Sequence, residues 1–184
     1  MSTVHGWTRD VLDFWFGELS QEDWWKKSDR TDRAVVTRFK TLVERLMREA
    51  SPGAFVRAEE MLAAVIALDQ FPRHIWRGDP RAFAADPLAF AIAEWAVEHG
   101  FDRELDVRRR RFLYMPYEHS EDPAAQARAI ELFAGLDDPD ALHYAHLHKV
   151  IIDRFGRFPH RNAVLGRIPT PEEIEFLKGP NSSF

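Results

Sequence analysis

The sequence predicts an all-α protein, and three kinds of observation support this fold class. Apolar residues recur every three or four positions in several stretches, most clearly at 35–47, and this spacing is typical of a helix with one buried face. Helix-capping signals precede many of these stretches. No stretch alternates apolar and polar residues between hairpin turns, so we expect essentially no sheet.

Start and stop signals divide the chain into about eight helices. Asp86, Asp122 and Asp138 each precede a proline, which predicts a capping acid followed by a proline at the first helical position. Thr170 begins a capping box, and Gly156 stands where a left-handed residue would end a helix. The predicted helices span residues 9–16, 29–49, 55–70, 87–99, 104–115, 123–134, 139–155 and 171–178. Because most links are short, we expect sequential helices to stack as antiparallel neighbours.

Length and patterning favour one domain. A chain of 184 residues with 45% hydrophobic residues is long enough to bury one core. We therefore expect a single helical domain over residues 1–179 and a flexible C-terminal tail over 180–184. The N-terminus lacks the pattern of a signal peptide, and no run approaches the roughly 20 apolar residues of a membrane span. These features predict a cytoplasmic protein without a membrane partner.

Composition narrows the classes of function. The absence of cysteine excludes disulfides, thiolate metal sites and cysteine nucleophiles. The net charge of −5 argues against a nucleic-acid partner, since nucleic-acid binders are usually basic. Arginine accounts for 20 of the 25 basic residues, and its side chain suits bidentate capture of carboxylate or phosphate groups. A bias in genomic base composition would also produce this excess.

One segment occurs twice in variant form, as VIALDQFPRHIWRGDPRAF and VIIDRFGRFPHRNAVLGR. In each copy an apolar helical run reaches an aspartate, Asp69 or Asp153, and then a Phe-Pro step with nearby Arg and His. An acid near a helix C-terminus opposes the helix dipole, so we expect cations beyond the proline to compensate for it. Pro72 is expected to end the first helix. Each copy is either a ligand site or a structural acid–arginine clasp.

Arginine and histidine concentrate at three predicted helix ends, where they could converge on one pocket. Such a pocket would bind a small anionic molecule or an acidic peptide. The residues predicted to line it are Asp69, Arg73, His74, Arg108, Arg111, Tyr117, His119, His160, Arg161 and Asn162.

The stretch RRRRFLYMPYEHSED contains a candidate acid–base pair. Pro116 is expected to end a helix, and Glu118 and His119 follow it with the carboxylate and imidazole that general acid–base catalysis needs. Adjacent residues generally point apart, however. Capping and salt-bridging to the arginine run is the alternative role for Glu118.

The predicted helix at 139–155 offers a second candidate site. His146, Lys149 and Asp153 share one face, which is either a catalytic or binding site or a solvated face on which Lys149 pairs with Asp153. His148 falls on the apolar side and is expected to be a buried structural histidine. His143 and His146 stand one turn apart, but their spacing matches no established metal-ligand signature. We therefore predict no metal and no cofactor.

Four segments together point to a family: VLDFWFGE, LDQFPRHIWRGDPRAFA, FLYMPYEHSED, and DRFGRFPHRNAVLGR followed by TPEEIEFL. From about Val11 to Leu177 the chain resembles an uncharacterised, mainly bacterial family catalogued as a domain of unknown function. The resemblance implies an all-α fold similar to the tetratricopeptide-like helical superfamily. It carries no assigned reaction and no catalytic residues. The chain lacks the regular period of tetratricopeptide repeats, which argues against peptide binding in a simple superhelical groove.

Three functional hypotheses follow. The first is a helical scaffold that binds a small anionic ligand or acidic peptide through the Arg/His-rich pocket. The second is an acid–base enzyme, a hydrolase or lyase, that uses Glu118 or Asp153 with a histidine. The third is a protein-interaction module in which exposed Trp24 and Trp25 dock a partner or a second copy, giving a homodimer.

Overall fold

The structure, a computed structural model, describes residues 6–183, and this part of the chain is all-α without any β-strand. The α-helices are α1 (Gly6–Asp13), α2 (Gln21–Trp25), α3 (Asp29–Glu49), α4 (Ala58–Val65), α5 (Phe71–Ile75), α6 (Asp86–Glu98), α7 (Val107–His119), α8 (Pro123–Ala134), α9 (Pro139–Phe155) and α10 (Pro171–Phe176). π-Helical turns occupy Phe14–Glu18 and Ile66–Gln70. The predicted domain's first five residues and the last residue of the predicted tail lie outside the described part.

The core is built around α4 and the π-turn that follows it. Every residue from Met61 to Leu68 is completely buried, as expected for a helix that is apolar on all sides. Helices α1, α6 and α7 pack against α4, and α3 packs against α5. Helices α8 and α9 pack on each other and extend the stack from α7. None of the helices in the described range is long and apolar enough to cross a membrane.

Two of the three predicted Asp-Pro caps form, and the third residue has another role. The side chain of Asp122 accepts a hydrogen bond from the Ala124 amide, and that of Asp138 accepts one from the Ala141 amide. Asp86 does not cap α6, which has Ala85 at its N-cap position. The prediction for Asp86 is wrong because its carboxylate pairs with arginines from distant segments.

Pro116 lies inside α7, so the prediction that it ends a helix is wrong. A proline removes only one helical hydrogen bond, and α7 continues for another turn to His119. The fully buried Gln126 stabilises this turn by donating to the carbonyl oxygens of Glu118 and Ser120, each at 2.7 Å. Glu118 and His119 are therefore helical and buried rather than part of a surface turn.

The predicted helix at 55–70 is also corrected. The α-helix begins at Ala58, changes to the π-turn after Val65 and is followed directly by α5. Pro72 lies in the first turn of α5, where a missing N–H costs little, so it begins a helix instead of ending one. Asp69 therefore lies within a π-turn rather than at an open helix end. Such turns frequently occur at functional sites.

Within the described part of the predicted tail, residues 180–183, one residue contacts the segment that follows α10. The Ser182 side chain is buried, and its hydroxyl donates to the Leu177 carbonyl at 3.3 Å.

Candidate functional site

A cleft of about 730 Å³ opens between α2, α5, α7 and α9 and the segment after α9. This volume is in the range of about 300–1,000 Å³ that is typical of small-molecule sites. The charged and imidazole side chains that line it are Lys26, Lys27, Arg73, His74, Arg77, Arg111, Glu118, His119, Asp140, His148, His160 and Arg161. Six of these are cationic and two are acidic.

The floor of the cleft rests on Asp69, which is completely buried under its lining. Oδ1 of Asp69 lies 2.7 Å from Nδ1 of His119 and 3.6 Å from Nη1 of Arg73, which also donates to the Asp69 carbonyl. Burial by itself would raise the pKa of Asp69, but attraction to His119 and Arg73 outweighs it and holds this pKa below its usual value. Asp69 is therefore an ionised, fully paired carboxylate that orients His119.

Asp86 joins the two Phe-Pro segments. Its carboxylate accepts a bidentate pair of hydrogen bonds from Arg73, at 2.9 and 3.0 Å, and a third from Nη1 of Arg161 at 3.3 Å. Arg161 also donates to the His119 carbonyl at 3.0 Å, and its guanidinium lies over the rings of Phe83 and Phe158. Burial lowers the pKa of Arg161 to about 10, so it remains a cation at neutral pH.

Glu118 and His148 lie beside His119. Oε2 of Glu118 is buried and has no hydrogen-bond partner among the described residues. Burial raises the pKa of Glu118 to about 8; Arg111 opposes this change and Asp69 adds to it. His148 donates from Nδ1 to the Tyr144 carbonyl at 2.8 Å. Burial, with a smaller effect of His119, lowers the pKa of His148 to about 3, so its ring is neutral.

The same three side chains form the one group in the described part of the chain that could hold a metal ion. Glu118, His119 and His148 each offer one ligand atom, and these atoms lie within 4.8 Å of one another. The sequence analysis predicted no metal; His143 and His146, the histidine pair that it weighed on α9, are exposed on the outer face of that helix.

The rim of the cleft carries the remaining cations. Arg77 and His74 both hydrogen-bond the carboxylate of Asp32, at 2.7–2.8 Å. The guanidinium of Arg111 lies 4.7 Å from the ring centroid of Trp25 and donates to Asp138 at 3.3 Å. Lys26 and Lys27 extend the rim on the side of α2.

His160 lies in the wall of the cleft next to Arg161. Its pKa is lowered to about 4, first by burial and then by the charges of Arg161 and Arg73, so its ring is neutral at pH 7. Its Nδ1 atom is buried without a hydrogen-bond partner among the described residues. This ring nitrogen in the cleft wall is therefore available for a hydrogen bond.

Seven of the ten predicted pocket residues meet at this cleft: Asp69 beneath it, and Arg73, His74, Arg111, His119, His160 and Arg161 in its lining. The other three lie elsewhere. Arg108 is exposed beside Phe16, 5.1 Å from its ring centroid. Tyr117 packs on Phe90 and lines a separate cavity of about 540 Å³. Asn162 is buried behind the cleft and does not line it.

The site predicted on the other face of α9 does not form. His146 is exposed, and Asp153 pairs only with Lys149, at 2.7 Å, among the described residues. The second Phe-Pro segment thus forms no aspartate–arginine pair between its own residues Asp153 and Arg161, because Arg161 pairs with Asp86 instead. The two copies build one site together.

Sequence reasoning missed the role of Asp86, and it predicted correctly that His148 is buried but did not place it at the cleft. An Asp-Pro step normally indicates a cap, and nothing local distinguishes an aspartate that instead pairs with an arginine 75 residues away. For His148, its place on the apolar stripe was a usable signal, because a buried imidazole needs polar partners in the interior.

Comparison with known proteins identifies the family of the chain. Residues 11–181 match the family described as bacterial protein of unknown function (DUF924), and the chain belongs to this family. Its fold is similar to that of a solved protein of unknown function from Agrobacterium tumefaciens, with 39% identity, a TM-score of 0.88, and coverage of 94% of this chain and 97% of that one. No curated protein matches the chain.

Proposed function

We propose that this member of a bacterial family of unknown function binds a small anionic molecule, bearing carboxylate or phosphate groups, in the cleft. The observation that carries the proposal is the surplus of cationic over acidic side chains, six against two, around a cavity of small-molecule size. The volume favours a small molecule over the acidic peptide that the sequence also allowed.

The arginines can bind a ligand although acids already hold them. A guanidinium has five N–H donors, and the bidentate pair of Arg77 with Asp32 uses only two of its nitrogens. The remaining donors are held in fixed positions, so little side-chain entropy is lost on binding. Arg111 has a single hydrogen bond, at 3.3 Å, among the described residues, which makes it the best placed donor.

Calorimetric titration with inorganic phosphate, pyrophosphate and citrate tests this proposal. We expect saturable binding of at least one of these anions and about tenfold weaker binding by Arg111→Met, which corresponds to about 1.4 kcal/mol. Arg154→Met is the matched control, because Arg154 is exposed and pairs with Glu172 outside the cleft. Absence of binding by all three anions, or equal losses in both variants, would contradict the proposal.

Acid–base catalysis is the second candidate function. It is favoured by the neighbouring Asp69–His119 pair and by Glu118, whose pKa of about 8 allows it to give and take protons near neutral pH. Asp153 drops out of this hypothesis because it lies outside the cleft. A screen of ester and phosphoester hydrolysis should show activity that Glu118→Gln abolishes; activity that is equal in that variant would remove Glu118 as the acid–base group.

The interaction-module hypothesis has less support. Trp24 donates from Nε1 to the Trp15 carbonyl and packs against Phe112, while half-exposed Trp25 stacks on the same ring. Both tryptophans thus hold α2 against α7 as part of the cleft wall. A homodimer, the cytoplasmic location and the tetratricopeptide-like arrangement stay predictions.

A further inference from the structure

We propose that Glu118, His119 and His148 form a site for one divalent transition-metal ion, such as Zn²⁺, at the floor of the cleft. Their ligand atoms lie within 4.8 Å of one another. Ligand atoms around a four-coordinate zinc ion lie about 3.4 Å apart, because its bonds to nitrogen and oxygen are about 2.0–2.2 Å long. Side-chain shifts of about an ångström would bring the three groups to bonding distance.

Neighbouring residues fix the orientation of both imidazoles. Nδ1 of His119 hydrogen-bonds the Asp69 carboxylate at 2.7 Å, and Nδ1 of His148 hydrogen-bonds the Tyr144 carbonyl at 2.8 Å. Because an ionised carboxylate and a carbonyl only accept hydrogen bonds, Nδ1 of each ring carries the hydrogen. Nε2 is then the nitrogen left to bind a metal, and for His148 this requires the Glu118 carboxyl group to shift, because Nδ1 is the His148 atom that lies 3.9 Å from its Oε2. Metal-ligating histidines are characteristically held in this way, with the other ring nitrogen donating to a carboxylate or a backbone carbonyl.

The carboxyl group of Glu118 supplies an independent observation. The residue is only 5% exposed, and its Oε2 atom has no hydrogen-bond partner among the described residues. The Nδ1 atom of the neutral His148 ring lies 3.9 Å from this oxygen, which is beyond hydrogen-bond length. Buried carboxylates are normally paired or bound to a metal. A cation between Glu118 and the two rings would satisfy this oxygen.

The set of ligands indicates the class of metal. Two imidazole nitrogens and one carboxylate oxygen suit zinc and related first-row ions, whereas calcium and magnesium prefer oxygen ligands alone. All three residues line the cleft, so an ion can enter from solvent and an external group can reach its fourth position. The site follows from its own geometry and does not depend on anion binding.

Titration of metal-stripped protein with Zn²⁺ tests the inference. We expect one zinc ion per chain, and at least tenfold weaker binding by His148→Ala and by Glu118→Gln. Asp69→Asn keeps all three ligands but removes the negative charge that holds His119; it should bind zinc about 10–100-fold more weakly. His146→Ala is the matched control, because His146 lies on the same helix but on its exposed outer face.

Far-UV circular dichroism establishes whether each variant is folded. If His148→Ala does not fold, the nearly isosteric Glu118→Gln variant decides the result. Substitution of Co²⁺ adds a spectroscopic readout, since its visible absorption reports nitrogen and oxygen ligands directly. The inference is overturned if the wild-type protein binds no zinc, if Glu118→Gln binds it as tightly as the wild type, or if His146→Ala alone loses it.

The same experiment separates this inference from the proposed anion binding. The anion titrations are repeated with EDTA and then with one equivalent of Zn²⁺. Phosphate binding that persists in EDTA, in a protein that takes up no zinc, overturns the metal site and supports the anion site. Stoichiometric zinc uptake without binding of any of the three anions supports the metal site and overturns the proposed anion binding.

Discussion

Three carboxyl groups at the cleft show how strongly a single residue depends on its neighbours. Asp69 is ionised and held by His119 and Arg73, and Asp86 is shared by two arginines. Glu118 is also buried but has no such partner for Oε2 among the described residues. Burial penalises the charged form of each group, and only a nearby cation or donor offsets that penalty. The contrast makes Glu118 the residue whose charge depends most on what enters the cleft.

Replacement of Glu118 by Gln should change how the stability of the metal-free protein depends on pH. Its carboxyl group ionises near pH 4.5 in the unfolded chain and near 8 in the folded one. Between these values the folded state keeps a proton that the unfolded state has lost, so the free energy of unfolding falls as the pH rises, by about 1.4 kcal/mol per unit at most. Glutamine has no such titration.

Urea unfolding in EDTA at pH 5, 6, 7 and 8 measures this difference. The stability of Glu118→Gln relative to the wild type should increase steadily from pH 5 to pH 8. Parallel pH profiles for the two proteins would show that Glu118 ionises normally in the fold.

Replacement of Asp86 by Ala should strongly destabilise the fold. It leaves Arg73 and the buried Arg161 without their shared carboxylate, and removing one partner of a buried ion pair costs about 3–5 kcal/mol. For a chain of this length we expect a decrease in Tm of about 10 °C. Asp153→Ala is the control, because its exposed pair with Lys149 is worth about 0.5 kcal/mol. Similar Tm values for both variants would contradict the assignment of Asp86.

At the level of helices and turns, local signals predicted well that a helix exists, but predicted poorly where one helix continues or changes type. The caps at Asp122, Asp138 and Thr170 predicted α8, α9 and α10 because each cap needs only neighbouring residues. Pro116 was misread because the last turn of α7 is stabilised by Gln126, which belongs to another helix. No residue pattern is characteristic of a π-turn such as the one before α5, so the sequence could not reveal it.

Gln126→Ala should uncap α7 and displace Glu118 and His119. Its amide donates to the carbonyls of Glu118 and Ser120 from a completely buried position, and leaving such groups unsatisfied costs about 1–3 kcal/mol each. We expect a lower Tm together with weaker binding in the cleft. A variant as stable as the wild type would mean that water replaces the amide and that α7 does not need it.

For the whole molecule, the sequence predicted the all-α class, and seven of the ten residues that it predicted for the pocket lie at the cleft, but it did not predict their pairing. The class follows from patterns within single helices. The pairing of Arg161 with Asp86 and of His119 with Asp69 joins residues 75 and 50 positions apart. Such pairs depend on how α6, α7 and α9 pack, and no local pattern encodes that packing.

Hydrogen exchange should follow the burial of the stack. Amides of α4, from Met61 to Val65, lie at the centre and should exchange only on global unfolding, whereas those of α10 should exchange by local opening. The cleft is bordered by both α7 and α9, so a ligand should slow exchange in these helices first. Mass-spectrometric exchange measures this order, and equal protection of α4 and α10 would contradict it.

The cation site proposed above lies between Glu118, His119 and His148 at the floor of the cleft. A crystal structure of the protein grown with Zn²⁺, with anomalous data collected at the zinc edge, tests it most directly. We expect one strong peak bonded to these three side chains at about 2.0–2.2 Å. Zinc found only beside His143 and His146 on the outer face, or no peak at all, would contradict it.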